Sequence, residues 1–204
     1  MLHYALGNHT PLQWRSGSTA SNVQLGLVIS GGVLNIGSTV SFQSKVTIYG
    51  GTLFLHNSSV VNCNGGLTVS NGSLSTFTGY SGSFASLNIK TSVDWAGGSF
   101  GGVSRFLNIQ VQGVMILTAS STKQLLTNCN MTVDFSGNDN LEWRDGNVEI
   151  SAGSFLINNR MFLIIGGQVL GGGCSFFNKD PFGVVENPWG QCRQYSALFS
   201  ITIM

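Results

Sequence analysis

The chain has 204 residues, of which 42% are hydrophobic and only 8% are charged, and its nine basic and eight acidic side chains leave a formal net charge of +1. This balance excludes the basic stripe that nucleic-acid binding requires, and the hydrophobic fraction argues against disorder. The longest apolar runs, such as residues 161–165, are too short to span a bilayer. The first residues lack the pattern of a signal peptide.

Hydrophobic and polar residues alternate along most of the chain, which is typical of β-strands. The apolar segments are rich in β-branched or aromatic residues and end in Gly, Ser or Asn, which favour turns. No stretch of a dozen residues free of Gly has a 3.6-residue period, so no helix is predicted. In chain order, the predicted strands are Val23 to Ile29, Val33 to Ile36, Val46 to Ile48, Leu53 to Leu55, Leu67 to Val69, Leu87 to Ile89, Leu107 to Val111, Val114 to Leu117, Met131 to Phe135, Val148 to Ile150, Phe155 to Ile157, Phe162 to Ile165 and Ala197 to Ile203.

Longer segments also repeat along the chain. Residues 12–17 (LQWRSG) recur as 141–146 (LEWRDG), and residues 93–98 (VDWAGG) are a looser copy. The triplet Asn-Cys-Asn occurs at 62–64 and again at 128–130. These separations fit whole numbers of coils of roughly 20–24 residues, a length typical of β-solenoids. We therefore predict that the two triplets lie at equivalent corners, three coils apart.

The predicted fold is all-β, a right-handed parallel β-helix, because crossovers between parallel strands are almost always right-handed. A β-sandwich, with turns about every 8–12 residues, is the alternative. Residues 1–173 are predicted to form the β-helical stack, and residues 174–204 an irregular loop with one or more terminal strands that can belong to the same stack. Natural stacks end in polar caps, whereas this sequence ends in an apolar run, so we expect a segment of a longer protein.

The region from Ser92 to Asn178 resembles the Gly/Asn-rich right-handed parallel β-helix repeats of large secreted surface proteins, including haemagglutinin-like and polymorphic outer-membrane adhesins and repeat proteins of protists. The resemblance covers less than half of the chain. It implies an extracellular or cell-surface stalk or adhesive surface, whose partners are other copies or neighbouring domains of a longer surface protein, or glycans. No catalytic motif is matched. The resembling segments are 93–98 (VDWAGG), 106–109 (FLNI), 114–117 (VMIL), 141–148 (LEWRDGNV) and 155–158 (FLIN).

Four Asn-X-Ser/Thr sequons, at Asn8, Asn57, Asn71 and Asn130, are glycan acceptors if the protein is secreted by a eukaryote. Chance is the competing explanation, because a chain rich in Asn, Ser and Thr produces sequons anyway. Turn residues surround Asn57 and Asn71, which makes these two the better candidates.

The four cysteines allow three disulfide pairings. Cys63 and Cys129 belong to the two Asn-Cys-Asn triplets, about 14 Å apart in the predicted stack, too far for a disulfide. Each is predicted to be a buried, unpaired residue. Cys174 and Cys192 bracket the irregular stretch and are predicted to form a disulfide, which implies an oxidising setting. No cysteine lies in a CxxC motif, so no zinc site is predicted, and no cofactor either.

Five of the eight carboxylates crowd into residues 134–149. Asp94 and Glu142 each precede a Trp, so they could form an acid pair two coils, about 10 Å, apart and acting on a glycan. We favour the alternative that these acids keep the rod soluble, with Arg144 pairing a neighbouring acid, because no His or Lys/Arg cluster accompanies them. The crowded acids are Asp134, Asp139, Glu142, Asp145 and Glu149.

Trp14, Trp95 and Trp143 are candidates for a sugar-stacking platform, although a repeated Trp more often packs in a core. The leading functional hypothesis is a non-enzymatic extracellular structural or adhesive module. A carbohydrate-active β-helix enzyme, such as a lyase or glycosidase, and a bare glycan-binding module are the alternatives.

Overall fold

A computed structural model of the chain describes residues 2–5, 12–14, 21–56, 58–76, 84–102, 106–134, 141–159, 162–164, 170–171 and 176–178, and no helix occurs among them. In chain order, the strands are β1 (Leu2–Ala5), β2 (Leu12–Trp14), β3 (Ser21–Val23), β4 (Leu27–Gly31), β5 (Val33–Ile36), β6 (Thr39–Phe42), β7 (Val46–Ile48), β8 (Thr52–Leu55), β9 (Val60–Cys63), β10 (Leu67–Val69), β11 (Ser73–Thr76), β12 (Ala85–Ile89), β13 (Ser92–Trp95), β14 (Gly98–Gly102), β15 (Leu107–Val111), β16 (Val114–Leu117), β17 (Lys123–Leu125), β18 (Cys129–Val133), β19 (Leu141–Trp143), β20 (Val148–Ile150), β21 (Phe155–Asn158), β22 (Phe162–Ile164), β23 (Leu170–Gly171) and β24 (Phe176–Asn178).

These strands form three parallel sheets, because every third strand returns to the same sheet and pairs with the strand one coil earlier. The first sheet has the order β1-β4-β7-β10-β13-β16-β19-β22. The second has the order β2-β5-β8-β11-β14-β17-β20-β23, and the third runs from β3 in the same way to β24. The predicted β-helix is therefore confirmed as a β-solenoid, and the β-sandwich alternative is wrong because the strand pairs are parallel.

The coils differ in length because their corners differ. Leu27 pairs with Val46, 19 residues later, whereas Leu67 pairs with Val93, 26 residues later. The predicted period of roughly 20–24 residues lies within this spread. Insertions at corners therefore lengthen individual coils while the register of the sheets is kept.

The interior consists of columns of apolar side chains that run through the stack. Most strands with a described burial pattern turn alternate residues inwards. A residue at one inward position lies directly on its counterpart in the next coil, so one coil buries the apolar surface of its neighbour. One such column, in the first sheet, is Ile29, Ile48, Val69, Trp95, Leu117 and Trp143.

A column of glycines lies at the corner where each coil passes from the first sheet to the second. Gly98 has a φ of +83°, and a Cβ on it would lie 2.1 Å from the carbonyl oxygen of Gly72. Only glycine fits so tight a corner. One coil later the register places Lys123 opposite Gly98. The corner before Lys123 has five residues, 118–122, against two, 96–97, before Gly98, which makes room for a side chain.

Two expectations need correction. The segment from Val23 to Ile29 is not one strand, because β3 ends at Val23 in the third sheet and β4 begins at Leu27 in the first. The two Asn-Cys-Asn triplets do lie in one sheet, three strands apart, but they are not equivalent. Cys63 is in register with Ile89 and Val111, whereas Cys129 pairs with Leu107 at the other end of the strand. Past residue 173, β24 pairs with β21 in the third sheet, and the prediction for residues 174–204 allowed for such a strand.

Candidate functional site

Asp94 and Glu142 occupy the same register position on the outer face of the first sheet. Asp94 pairs with Ile116, and Ile116 pairs with Glu142, so the two acids are two strand spacings apart, about 10 Å. This confirms the predicted alignment. The side chain between them is the apolar Ile116, which leaves no polar group to connect the two carboxylates.

Each of these two carboxylates already has a hydrogen-bond partner. Thr118 Oγ1 donates to Asp94 Oδ1 at 2.6 Å. Arg144 donates from Nε at 2.8 Å and from a terminal nitrogen at 2.6 Å to Glu142 Oε2. The Glu142 side chain is 19% exposed and that of Arg144 is 50% exposed, so water screens this ion pair. The predicted pairing of Arg144 with a neighbouring acid is confirmed.

The other acids that are crowded in the sequence are dispersed in space. Glu149 lies on the second sheet, where it accepts a hydrogen bond from Gln124 at 3.0 Å. Asp134 follows β18 of the third sheet and is exposed. Asp145 lies at a corner and accepts a hydrogen bond from the backbone nitrogen of Gly146. Asp139 lies outside the described residues. The described acids of residues 134–149 therefore lie on different parts of the solenoid surface.

Lys123, which the sequence analysis did not single out, is fully buried at the corner between the first and second sheets. Its Nζ donates to the carbonyl oxygens of Ala119 at 2.9 Å, Ser121 at 3.0 Å and Asp145 at 3.2 Å. Burial lowers the pKa of Lys123 below 10.5, while the charges of Asp145 and Asp94 act in the opposite direction. The enclosed ammonium has no access to a substrate, so its role is to hold the corner.

Trp95 and Trp143 do not form a sugar-stacking platform, so that prediction is wrong for the two tryptophans whose side chains are described. Trp95 is fully buried, with its ring 4.7 Å from that of Phe100 in an edge-on arrangement. Trp143 is also buried and donates from Nε1 to the carbonyl oxygen of Gly146 at 2.8 Å. The predicted alternative, core packing, is therefore confirmed for both. Trp14 pairs with Ile36 in the second sheet, a different sheet from the other two, and its side chain lies outside the described part.

The outer face of the third sheet carries rows of side-chain amides, which we call the amide face. Along one row, Asn62 donates to Ser41 Oγ at 3.0 Å and Asn88 donates to Asn62 Oδ1 at 2.9 Å. The ladder stops there, because the described structure gives no hydrogen bond to the side-chain amides of the next coil. The amide face consists of Asn62, Asn64, Asn88, Asn108, Gln110, Gln112 and Asn130.

Two phenylalanines form an exposed aromatic pair at one edge of the amide face. Phe84 precedes β12 and is 54% exposed, and Phe106 precedes β15 and is 38% exposed. Their ring centroids are 5.8 Å apart, with the planes tilted by 51°. Period-two alternation places Phe106 on the same side of the sheet as Asn108 and Gln110. This face was not predicted from the sequence, although the alternation Phe106-x-Asn108-x-Gln110-x-Gln112 is a signal for it.

The described cysteines are free and buried, as predicted for Cys63 and Cys129. Burial in apolar surroundings disfavours the thiolate, which raises the pKa of Cys63 to about 12 and raises that of Cys129 as well. Neither thiol is therefore a reactive nucleophile. The predicted partners Cys174 and Cys192 lie outside the described residues.

The two sequons whose asparagines are described occupy different settings. Asn71 is exposed at the bend between β10 and β11. Asn130 lies in β18, half-buried between neighbouring strands, with Oδ1 buried and without a partner. Asn8 and Asn57 lie outside the described residues. Accessibility therefore favours Asn71 over Asn130 as a glycan acceptor.

Comparison of the chain with protein-family models, with curated proteins and with solved structures found no match. Among the described residues, no group of three or more His, Cys, Asp or Glu is placed to hold a metal ion. The same part of the chain contains no helix long and apolar enough to cross a membrane.

Proposed function

We propose that this chain is a non-enzymatic structural or adhesive rod module of an extracellular surface protein. The observation that carries this proposal is the regular β-solenoid itself, in which inward side chains fill the interior and outward side chains present flat sheet faces. Repeat proteins of this kind use long, regular surfaces for binding and for spacing other domains. The resemblance of residues 92–178 to the repeats of secreted adhesins supports the extracellular setting.

A carbohydrate-active enzyme is the second candidate, because Asp94 and Glu142 are aligned two strand spacings apart. An inverting pair needs carboxylates separated by about 6.5–9.5 Å, with room for a water between them. Ile116 lies between the two acids, and Arg144 binds Glu142 from one side. These contacts favour the structural role.

The test is the release of reducing ends from a panel of neutral and acidic polysaccharides by the full chain. We expect no release above background. Glu142→Gln is the informative variant, and Glu149→Gln, an exposed acid on the second sheet, is its matched control. Release that disappears in Glu142→Gln and persists in Glu149→Gln would establish an enzyme and overturn the proposal.

The extracellular part of the proposal has its own test. A disulfide between Cys174 and Cys192 fits an oxidising compartment. When the native protein is denatured without reduction, thiol counting is expected to find two free thiols, those of Cys63 and Cys129. Four free thiols would contradict the extracellular setting.

A further inference from the structure

We infer that the amide face and the aromatic pair Phe84–Phe106 together bind a neutral polysaccharide. This inference rests on the adhesive part of the proposed function and names its partner. The two features share the outer side of the same strands, because Phe84 precedes β12 as Phe106 precedes β15, and these strands are neighbours in register.

The chemistry of the surface matches a sugar on two counts. A pyranose ring has an apolar face of C–H groups, which packs on exposed aromatic rings, and aromatic side chains supply large contact area at a low cost in conformational entropy. Its hydroxyl groups both donate and accept hydrogen bonds. A carboxamide also does both, through its NH₂ group and its carbonyl oxygen. The aromatic pair and the amides together therefore offer stacking and hydrogen bonding on one surface.

The amides nearest to the aromatic pair have hydrogen-bonding capacity left for a ligand. Asn88 and Asn62 belong to the internal ladder. By contrast, Asn108, Gln110 and Gln112 make no side-chain hydrogen bond in the described structure. Asn108 and Gln110 are half-buried and Gln112 is exposed. These three follow Phe106 at every second residue along β15 and directly after it.

The charge of the surface selects a neutral polymer over an acidic one. Among the described residues, the charged side chains beside the amides are Lys90, after β12, and Asp134, after β18, and they are of opposite sign. A polyanion would need several cationic side chains, as uronic acid or sulfate recognition depends on charge-assisted contacts.

The experiment measures retardation of the full chain in native gels that contain a β-1,3-glucan, an α-mannan or a galactomannan, with polygalacturonate as the acidic comparison. We expect at least one neutral polysaccharide to retard the protein. The double variant Phe84→Ala with Phe106→Ala is expected to weaken that binding about tenfold or more, as truncation of aromatic anchors commonly does.

The control is Tyr49→Ala. Tyr49 is 54% exposed, like Phe84, but it follows β7 of the first sheet. It is expected to leave retardation unchanged. Gln110→Ala is a further variant, which changes the amide face and leaves the aromatic pair intact. It is also expected to weaken binding. The test therefore remains valid if the double variant fails to fold.

Three results would overturn the inference. The first is no retardation by any of the neutral polysaccharides, and the second is equal retardation of the wild type, the double variant and Gln110→Ala. The third is binding confined to polygalacturonate. If no reducing ends are released, each of these results is still compatible with the proposed function as a structural rod. Release of reducing ends that depends on Glu142 would instead overturn the proposed function, whatever the gels show.

Discussion

The ammonium group of Lys123 donates a hydrogen bond to the carbonyl oxygen of Asp145, 22 residues later in the chain. The same group binds the carbonyl oxygens of Ala119 and Ser121 in its own corner, so one side chain connects two successive coils. A carbonyl oxygen that is removed from water and left without a donor costs about 1–3 kcal/mol. Lys123 is the donor to three carbonyl oxygens, and its own side chain is fully buried.

Lys123→Met is expected to lower the free energy of unfolding by about 2–4 kcal/mol, because the apolar side chain leaves these carbonyl oxygens without a donor. Urea unfolding followed by circular dichroism measures this difference. Lys45→Met, at an exposed position, is the control and is expected to change stability by less than about 0.5 kcal/mol. Burying an ammonium group is itself costly. A Lys123→Met protein as stable as the wild type would mean that this cost cancels the three hydrogen bonds.

The sequence contains a signal for this corner that only the register makes readable. Gly51-Thr52-Leu53, Gly72-Ser73-Leu74 and Gly98-Ser99-Phe100 begin successive strands of the second sheet, and Lys123-Gln124-Leu125 takes the next place. A lysine in the place of a glycine cannot be assigned to the interior before the alignment of coils is known. Because the corner before Lys123 is longer, Lys123 also does not follow the preceding glycines at a constant spacing in the sequence.

Other parts of the structure follow directly from the sequence pattern. The period-two alternation of Leu107-Asn108-Ile109-Gln110-Val111 predicts a strand with Leu107, Ile109 and Val111 inside, and they are buried. Polar strands such as β11 (Ser73–Thr76) were missed, since their side chains lack the β-branched and aromatic signal. The repeated Leu-x-Trp motif misled the assignment of Trp14, because its strand lies in the second sheet and that of Trp143 in the first. A short motif can predict a strand, but it does not determine which sheet that strand joins.

Close packing between coils makes some glycines irreplaceable, which gives a second prediction. A Cβ on Gly113 would lie 1.4 Å from the carbonyl oxygen of Thr91, in the preceding coil. Because that oxygen belongs to the backbone, the coils must separate to admit a methyl group. Gly113→Ala is expected to cost more than about 3 kcal/mol or to prevent folding.

Gly153→Ala is the matched comparison for Gly113→Ala. Gly153 has a φ of +79°, but a Cβ on it would have no atom within 4 Å, so its substitution costs only the backbone conformation. That cost is about 1 kcal/mol. Thermal unfolding of both variants separates the two effects. Equal losses of stability at the two positions would show that conformation, and not the contact between coils, sets the requirement for glycine.

The buried thiols predict a loss of stability at alkaline pH. The folded-state pKa of Cys63 is about 12 against an ordinary value of 9.0, so the folded protein keeps its proton over a range in which the unfolded chain loses it. The contribution of this thiol to stability is complete below pH 9.0 and is lost as the pH rises towards 12. Its loss reaches about 1.4 kcal/mol per pH unit in that window.

Cys63→Val tests this linkage, since valine is apolar and of similar size but carries no ionisable proton. Between about pH 9 and about pH 10.5, the free energy of unfolding of the wild type is expected to fall more steeply than that of the variant. Cys129, whose pKa is also raised by burial, remains in both proteins and cancels from the comparison. Parallel pH profiles for the two proteins would show that the Cys63 thiol ionises as readily in the folded chain as in the unfolded one.

The settings of the sequons predict which asparagine carries a glycan when the chain is secreted by eukaryotic cells. Asn71 is exposed at a bend, whereas Asn130 lies within β18 of the third sheet and pairs with Asn108 and Phe155 on its two sides. Asn71→Gln is expected to remove the mass of one glycan from the secreted protein, and Asn130→Gln is expected to leave the mass of the glycans unchanged. Intact-mass and glycopeptide measurements distinguish the two variants. A glycan on Asn130 would project from the amide face, so its detection would contradict both this prediction and the binding of a polysaccharide at that surface.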